Sequence, residues 1–116
     1  KDAFMLRLCE EALSYFPNQC LFPSDVIMKE MSFGDYRSLI PLKNMFSKVD
    51  HELMLTAGTY LRCGLDACLA SDRLYVHRNT FNYRLNKFIE FTGLDIRDYH
   101  NALLLELYFQ LAVSSK

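Results

Sequence analysis

At 116 residues the chain is long enough for one domain with a real core, or for a small domain plus the tail of another, and too short for two full domains. Hydrophobic residues make up 51%, with only 4 Gly and 3 Pro, which excludes a disordered or loop-rich chain and points to a helical one. The 13 basic and 14 acidic residues leave a net charge of −1, which excludes a surface that is basic all over but not a local basic face.

The chain starts at Lys1 rather than Met and shows no signal peptide, so a piece of a longer protein is expected. From Asp2 to Phe16, apolar residues at 4, 5, 8, 9, 12, 13 and 16 have the one-sided spacing of an amphipathic helix, which Pro17 and Asn18 end. In "FPSDVIMKEMSF", Ser24 or Asp25 is the expected cap of a second, shorter helix. Gly34 interrupts, and Asp35 is expected to cap a further helical turn limited by Pro41. The weakly patterned stretch from Phe33 to Val49 is where a domain boundary is expected.

Asp50 is a good N-cap for "HELMLTAGTYLRCG", in which Leu53, Leu55, Ala57, Tyr60 and Leu61 supply apolar surface and Gly64 a stop. Gly58 inside this helix should cost about 1 kcal/mol relative to Ala, so close packing against another element is the expected reason for it. Asp66 caps a short helix, "ACLASDRL", with Ala67, Ala70 and Leu74 facing inward. A longer helix follows from about Arg78 to Phe91, ended by Gly93, and a last one from about Asp98 to Val113, rich in leucine and aromatics. No strand has a claim, because alternation with β-branched enrichment is absent. The fold class is all-α, a helical bundle of six or seven helices.

A short helix followed closely by a longer one is the outline of a helix-turn-helix. The test is whether the second helix has two different faces. At roughly 100° per residue, Phe81, Leu85 and Phe88 fall on one side as a buried stripe. Asn79, Tyr83 and Asn86 fall opposite, flanked by Asn82 and Lys87, while Arg78 and Arg84 lie nearer the core boundary. From Arg73 to Ile89 the bases Arg73, Arg78, Arg84 and Lys87 occur with no Asp or Glu. An ordinary solvated face mixes Glu with Lys, whereas amides and bases are what groove reading requires: Asn pairs with adenine, Arg with guanine, and Arg or Lys with phosphates. The helix N-terminus near His77, Arg78, Asn79 and Thr80 adds a favourable dipole for a phosphate. Tyr83 either faces DNA or packs on a neighbouring helix, and Arg73 suits a helix C-terminus without any further role.

"TAGTYLRCG" and "RLYVHRNTFNYRLNKFIEFTGLDIRDYHNALLLELYFQL" resemble the C-terminal helix-turn-helix domain of bacterial transcription regulators of the purine-catabolism (PucR) and carbohydrate-diacid (CdaR) type, over roughly residues 52–111. The resemblance implies that the helix from Arg78 is the recognition helix, that Asp66 to Leu74 supports it, and that "HRNT" (His77 to Thr80) and "YRL" (Tyr83 to Leu85) are shared motifs, with Leu85 in the core. Leu65 departs from the polar residue common before the short helix, Asn82 from a common basic residue, and Ile89 from a usual acidic one.

The expected partner is double-stranded DNA, contacted by Tyr75, His77, Arg78, Asn79, Thr80, Asn82, Tyr83, Arg84 and Lys87. Residues 50–116 form the DNA-binding domain, and residues 1–49 a helical extension or the tail of an upstream domain. The full-length protein is expected to be a cytoplasmic homodimer whose effector binds upstream domains. Leu103, Leu104, Leu107 and Phe109 serve either the core or a dimer surface. "ALLLELYFQLAV" is interrupted by Glu106 and Gln110 and is too short to span a bilayer, so no membrane partner is expected. Cys9, Cys20, Cys63 and Cys68 match no zinc spacing, so free and mostly buried thiols are expected and no metal or cofactor. No paired carboxylates, Cys/His couple or phosphate-binding glycine loop suggests an enzyme. The rival reading is a helical interaction or oligomerisation module of helix-turn-helix shape without DNA contact, which the near-neutral charge favours.

Overall fold

A computed structural model of the chain describes residues 22–114. The helix expected over 2–16, with Cys9 and Cys20, lies outside the described residues. Within them are six helices and no strand: α1 (Pro23–Ser32), α2 (Leu39–Ser47), α3 (His51–Arg62), α4 (Ala67–Leu74), α5 (Arg78–Thr92) and α6 (Tyr99–Ser114). The chain divides into two compact units, Lys1–Pro41 and Leu42–Lys116.

In the first unit, α1 starts earlier than the sequence suggests. Its N-cap is Phe22, not Ser24 or Asp25. Pro23 takes the first helical position, where its missing N–H is no loss. Asp25 still serves the end of the helix, because its Oδ2 accepts the Phe22 N–H at 3.1 Å. Asp35 stands at the start of the turn that leads into α2. It folds back on Arg37, accepting from the Arg37 backbone N–H at 3.2 Å and from its guanidinium at 3.1 and 3.0 Å. Pro41 does not limit a helix but sits third in α2, where helical N–H groups have no intrahelical partner anyway.

In the second unit, α3 packs on α4, α5 and α6, and α4 packs on α5. Local chemistry sets each boundary of this group. Asp50 caps α3 by accepting the Glu52 N–H at 3.1 Å, and Asp66 caps α4 by accepting the Leu69 N–H at 3.1 Å. At the end of α3, Gly64 adopts a left-handed φ of 67° and the Leu65 N–H donates to the Tyr60 carbonyl at 2.9 Å, the six-to-one bond of a Schellman motif. Leu65 is itself left-handed at φ 64°.

The core joins Ala57 and Tyr60 of α3, Ala70 of α4, Phe81, Leu85 and Phe88 of α5, and Leu104 and Leu105 of α6, all buried, with Phe46 and Ile96. Aromatic contacts tie it together: Phe46 stacks with Phe88 at 6.2 Å between centroids and meets Tyr108 at 5.3 Å, while Tyr60 meets Phe81 at 6.0 Å. Leu55, expected to supply core surface, is 52% exposed. Its place on the inner face goes to Thr56, whose hydroxyl satisfies itself on the Glu52 carbonyl at 2.9 Å and so enters the core without an unpaired polar atom. Of the cysteines described, both free, Cys63 is buried but Cys68 is exposed, against expectation, because it lies on the outer side of α4. Among the described residues no helix is long and apolar enough to cross a membrane.

The reason for Gly58 is visible. A Cβ there would stand 3.1 Å from Cζ of Phe109, so the glycine lets α6 approach α3. Gly58→Val therefore lowers stability by about 1–3 kcal/mol through overpacking, measurable as a fall in the urea midpoint at unchanged m-value.

Between α5 and α6, Asp95 accepts from the Arg97 guanidinium at 3.0 and 3.4 Å and from its backbone N–H at 3.0 Å. The Arg97 hydrogen bonds hold the Asp95 carboxyl below its ordinary range. A carboxyl depressed in the folded state stabilises the fold above its unfolded pKa and loses that contribution as pH falls through the folded value. With both side chains about half exposed the effect is small, below ~1 kcal/mol. Asp95→Asn should be less stable than the parent at neutral pH, with a difference that shrinks as pH falls through the folded-state pKa of Asp95, as followed by urea titration.

Candidate nucleic-acid interface

The turn between α4 and α5 is built from backbone hydrogen bonds. Tyr75 and Val76 donate to Asp72 and Ser71 carbonyls at 3.2 and 3.1 Å, closing α4 with a Schellman pattern. The left-handed position this requires is filled by Tyr75, at φ 56° and ψ 41°, although a Cβ there costs roughly 1–2 kcal/mol. The Tyr75 side chain is 94% exposed, so its burial offsets none of that. The next helix starts at His77, whose Nδ1 accepts the Asn79 N–H at 3.0 Å. A ring nitrogen here does what a Ser or Asp oxygen does at most N-caps, and the acceptor role places the ring proton on Nε2, at the surface. The Phe81 N–H is taken by the His77 carbonyl at 3.0 Å.

Burial of Phe81, Leu85 and Phe88 fixes the rotation of α5, so Arg78, Asn79, Thr80, Asn82, Tyr83, Asn86 and Lys87 are all exposed. At the far end Gly93, left-handed at φ 74°, closes the helix with a 2.7 Å bond from its N–H to the Ile89 carbonyl. Tyr83, left open between groove and packing, is 62% exposed and has the Lys87 Nζ 5.5 Å from its ring centroid. Asn86 belongs to this face as much as Asn82 does, although only Asn82 stands among the expected DNA contacts.

The structure brings eight of the nine expected residues to one exposed surface around the turn and α5. Arg84 is the exception. Its side chain is only 26% exposed, and its Nε lies 3.3 Å from Oε1 of Glu52 on α3. Lys87 is exposed but also paired, its Nζ 3.7 Å from Oε2 of Glu90. Sequence reading missed both carboxylates. Glu52 is distant in sequence, and Glu90 lies one residue beyond the acid-free stretch, although its i,i+3 spacing from Lys87 is a signal of pairing. Arg73 and Arg78 have no ion-pair partner among the described residues. Leu55, Gly58, Arg62, Arg73 and Phe109 line a separate apolar groove of about 600 Å³. Among the described residues no group of three or more His, Cys, Asp or Glu is placed to hold a metal ion.

A family model, the PucR C-terminal helix-turn-helix domain, matches residues 53–111. The chain is 32% identical over 107 residues to the carbohydrate diacid regulator of Escherichia coli (strain K12), a match covering 87% of this chain and 26% of that protein. It is 30% identical over 92 residues to the proline-responsive transcriptional activator PutR of Bacillus subtilis (strain 168), covering 78% of this chain and 22% of PutR. To the purine catabolism regulatory protein of the same organism it is 36% identical over 62 residues, covering 53% and 12%. The chain thus spans about a quarter or less of the length of these relatives. No solved structure matches it.

Since Tyr75 holds a strained backbone without burying its side chain, Tyr75→Gly should raise stability, by about 1 kcal/mol. Thermal unfolding of the two proteins checks this, and a lowered midpoint in the variant would contradict it.

Proposed function

The chain belongs to the family of PucR C-terminal helix-turn-helix domains, and from that premise we propose that its second unit binds double-stranded DNA as the sequence-reading part of a bacterial transcription regulator. The observation that carries this reading is the division of α5 into a fully buried inner stripe and an outer face of amides, tyrosine and bases. In this reading α5 lies in the major groove. Asn79, Asn82 and Tyr83 stand nearest the base edges, where an amide can pair with adenine. Tyr75, His77, Arg78, Thr80 and Lys87 face phosphates, and the α5 N-terminus adds its partial positive charge. Arg84 reaches a phosphate only by leaving Glu52.

The DNA-binding unit is drawn from Leu42 onward, because Phe46 lies in the core beneath α5. One 15-residue helix spans few base pairs, so two copies on a repeated site are proposed, in a homodimer of the full-length protein. Effector binding is assigned to domains outside these 116 residues, in keeping with relatives of which the match covers only 26% and 22%. The protein acts in the cytoplasm, where promoter DNA is, and needs no cofactor for this role.

Fluorescence anisotropy of the chain on mixed-sequence duplex DNA at several salt concentrations tests the reading. Binding should weaken steeply with salt, and Arg78→Ala should flatten the log–log slope by about 0.9, the loss of one phosphate contact. Absence of binding even at low salt, for the chain and for a tethered dimer, would overturn it in favour of a protein-interaction module.

A further inference from the structure

The basic stretch of the sequence is far less basic in three dimensions. Of the four bases between Arg73 and Ile89, the two on the body of α5 each face a carboxylate. Arg84 meets Glu52, from the first turn of α3, at 3.3 Å, and Lys87 meets Glu90, one turn along α5, at 3.7 Å. Arg78, at the start of the helix, has no acidic partner among the described residues. Positive charge is therefore left at the N-terminal end of α5, while its middle and C-terminal parts present neutral groups: Asn82, Tyr83, Asn86 and two cancelled pairs.

The two pairs differ in how readily they open. Lys87 and Glu90 are both exposed, with side chains 47% and 70% accessible. Such pairs contribute little, so a phosphate can compete for the lysine, against repulsion from Glu90. The Arg84 side chain is mostly covered, and removing its partner leaves a charge unpaired in a partly desolvated place. Arg84 therefore stays with Glu52 while Lys87 can exchange.

We infer that Glu90, with Glu52 behind it, limits the affinity of this surface for nucleic acid of any sequence: by neutralising Lys87 and Arg84 the two carboxylates suppress sequence-independent attraction to phosphates and leave binding to depend on Arg78, the α5 N-terminus and the amide and tyrosine contacts. This rests on the DNA-binding reading above. Phosphate attraction is shared by all sequences whereas amide contacts are not, so weakening the first lowers affinity for every duplex alike and leaves untouched the contacts that distinguish one site from another.

The test compares the chain with Glu90→Gln, Glu52→Gln and, as a control for net charge alone, Glu106→Gln on α6. Each is titrated into mixed-sequence duplex DNA at several salt concentrations, and a randomised duplex pool is selected on the parent and on Glu90→Gln. Glu90→Gln should bind mixed-sequence DNA on the order of three-fold more tightly near 0.1 M salt, with a log–log slope steeper by about 0.9. Its selected pool should yield the same motif as that of the parent, and Glu106→Gln should stay close to the parent in affinity and slope. Thermal unfolding accompanies the titrations: Glu52→Gln should lower the midpoint and Glu90→Gln should not. Glu90→Gln matching either the parent or Glu106→Gln in affinity and slope, while the parent binds DNA, would overturn the inference alone. Failure of every form to bind DNA would overturn the DNA-binding reading, and the inference with it.

Discussion

Burial of Phe81, Leu85 and Phe88 sets how α5 is rotated about its own axis, and the rest of the site depends on that angle. All three are 2% exposed or less. Two of them are held by rings from other helices, Phe81 by Tyr60 of α3 and Phe88 by Phe46 of α2. Each fully buried side chain of this size contributes roughly 1.5–3 kcal/mol, so turning the helix by half a turn would forfeit several times the stability that any surface contact could return. With the inner stripe pinned, the α-helical repeat leaves Asn79, Asn82, Tyr83, Asn86 and Lys87 no direction but outward. The hydrophobic core thus holds these side chains in a narrow range of positions, as the proposed reading of DNA requires.

The turn between α4 and α5 sets the second constraint, the angle between the two helices. It is made of carbonyls and N–H groups that must find partners where α4 stops, and Ser71, Asp72, Tyr75 and Val76 supply them in a pattern that needs one left-handed residue. Glycine fills that position at the ends of α3 and α5, as Gly64 and Gly93. Tyrosine fills it at the edge of the proposed interface. Strain that the fold does not offset is a familiar companion of function, and here it coincides with the proposed interface.

The parts of this structure legible in the sequence are those decided locally. Asp50, Asp66, His77 and Gly93 mark helix ends because a cap bonds groups only two to four residues away. The two faces of α5 follow from a 3.6-residue repeat, and Gly58 announces a close approach because an interior helical glycine needs some such reason. Legibility fails where tertiary contact or backbone detail decides. Pro41 reads as a stop, yet the first turn of a helix tolerates it. Leu55 and Thr56 exchange the places that hydrophobicity alone assigns them, because the rotation of α3 suits Ala57 and Tyr60 and the Thr56 hydroxyl satisfies itself on its own helix. Arg84 reads as an unpaired base until α3 brings Glu52 to it from 32 positions away. Charge counted along the chain is thus a poor guide to charge as a phosphate would meet it.

The central claim is that the outer face of α5 meets DNA while its inner face and the remaining helices only support it. Amide chemical-shift mapping of the 116-residue chain during addition of a duplex tests this most directly. The largest changes should fall at Tyr75, at the α5 N-terminus and at Asn79, Asn82, Tyr83 and Asn86, with Ala57, Ala70 and Leu105 little affected. Changes centred instead on Leu55, Arg62 and Phe109, around the apolar groove, would contradict it and place the working surface of this domain elsewhere.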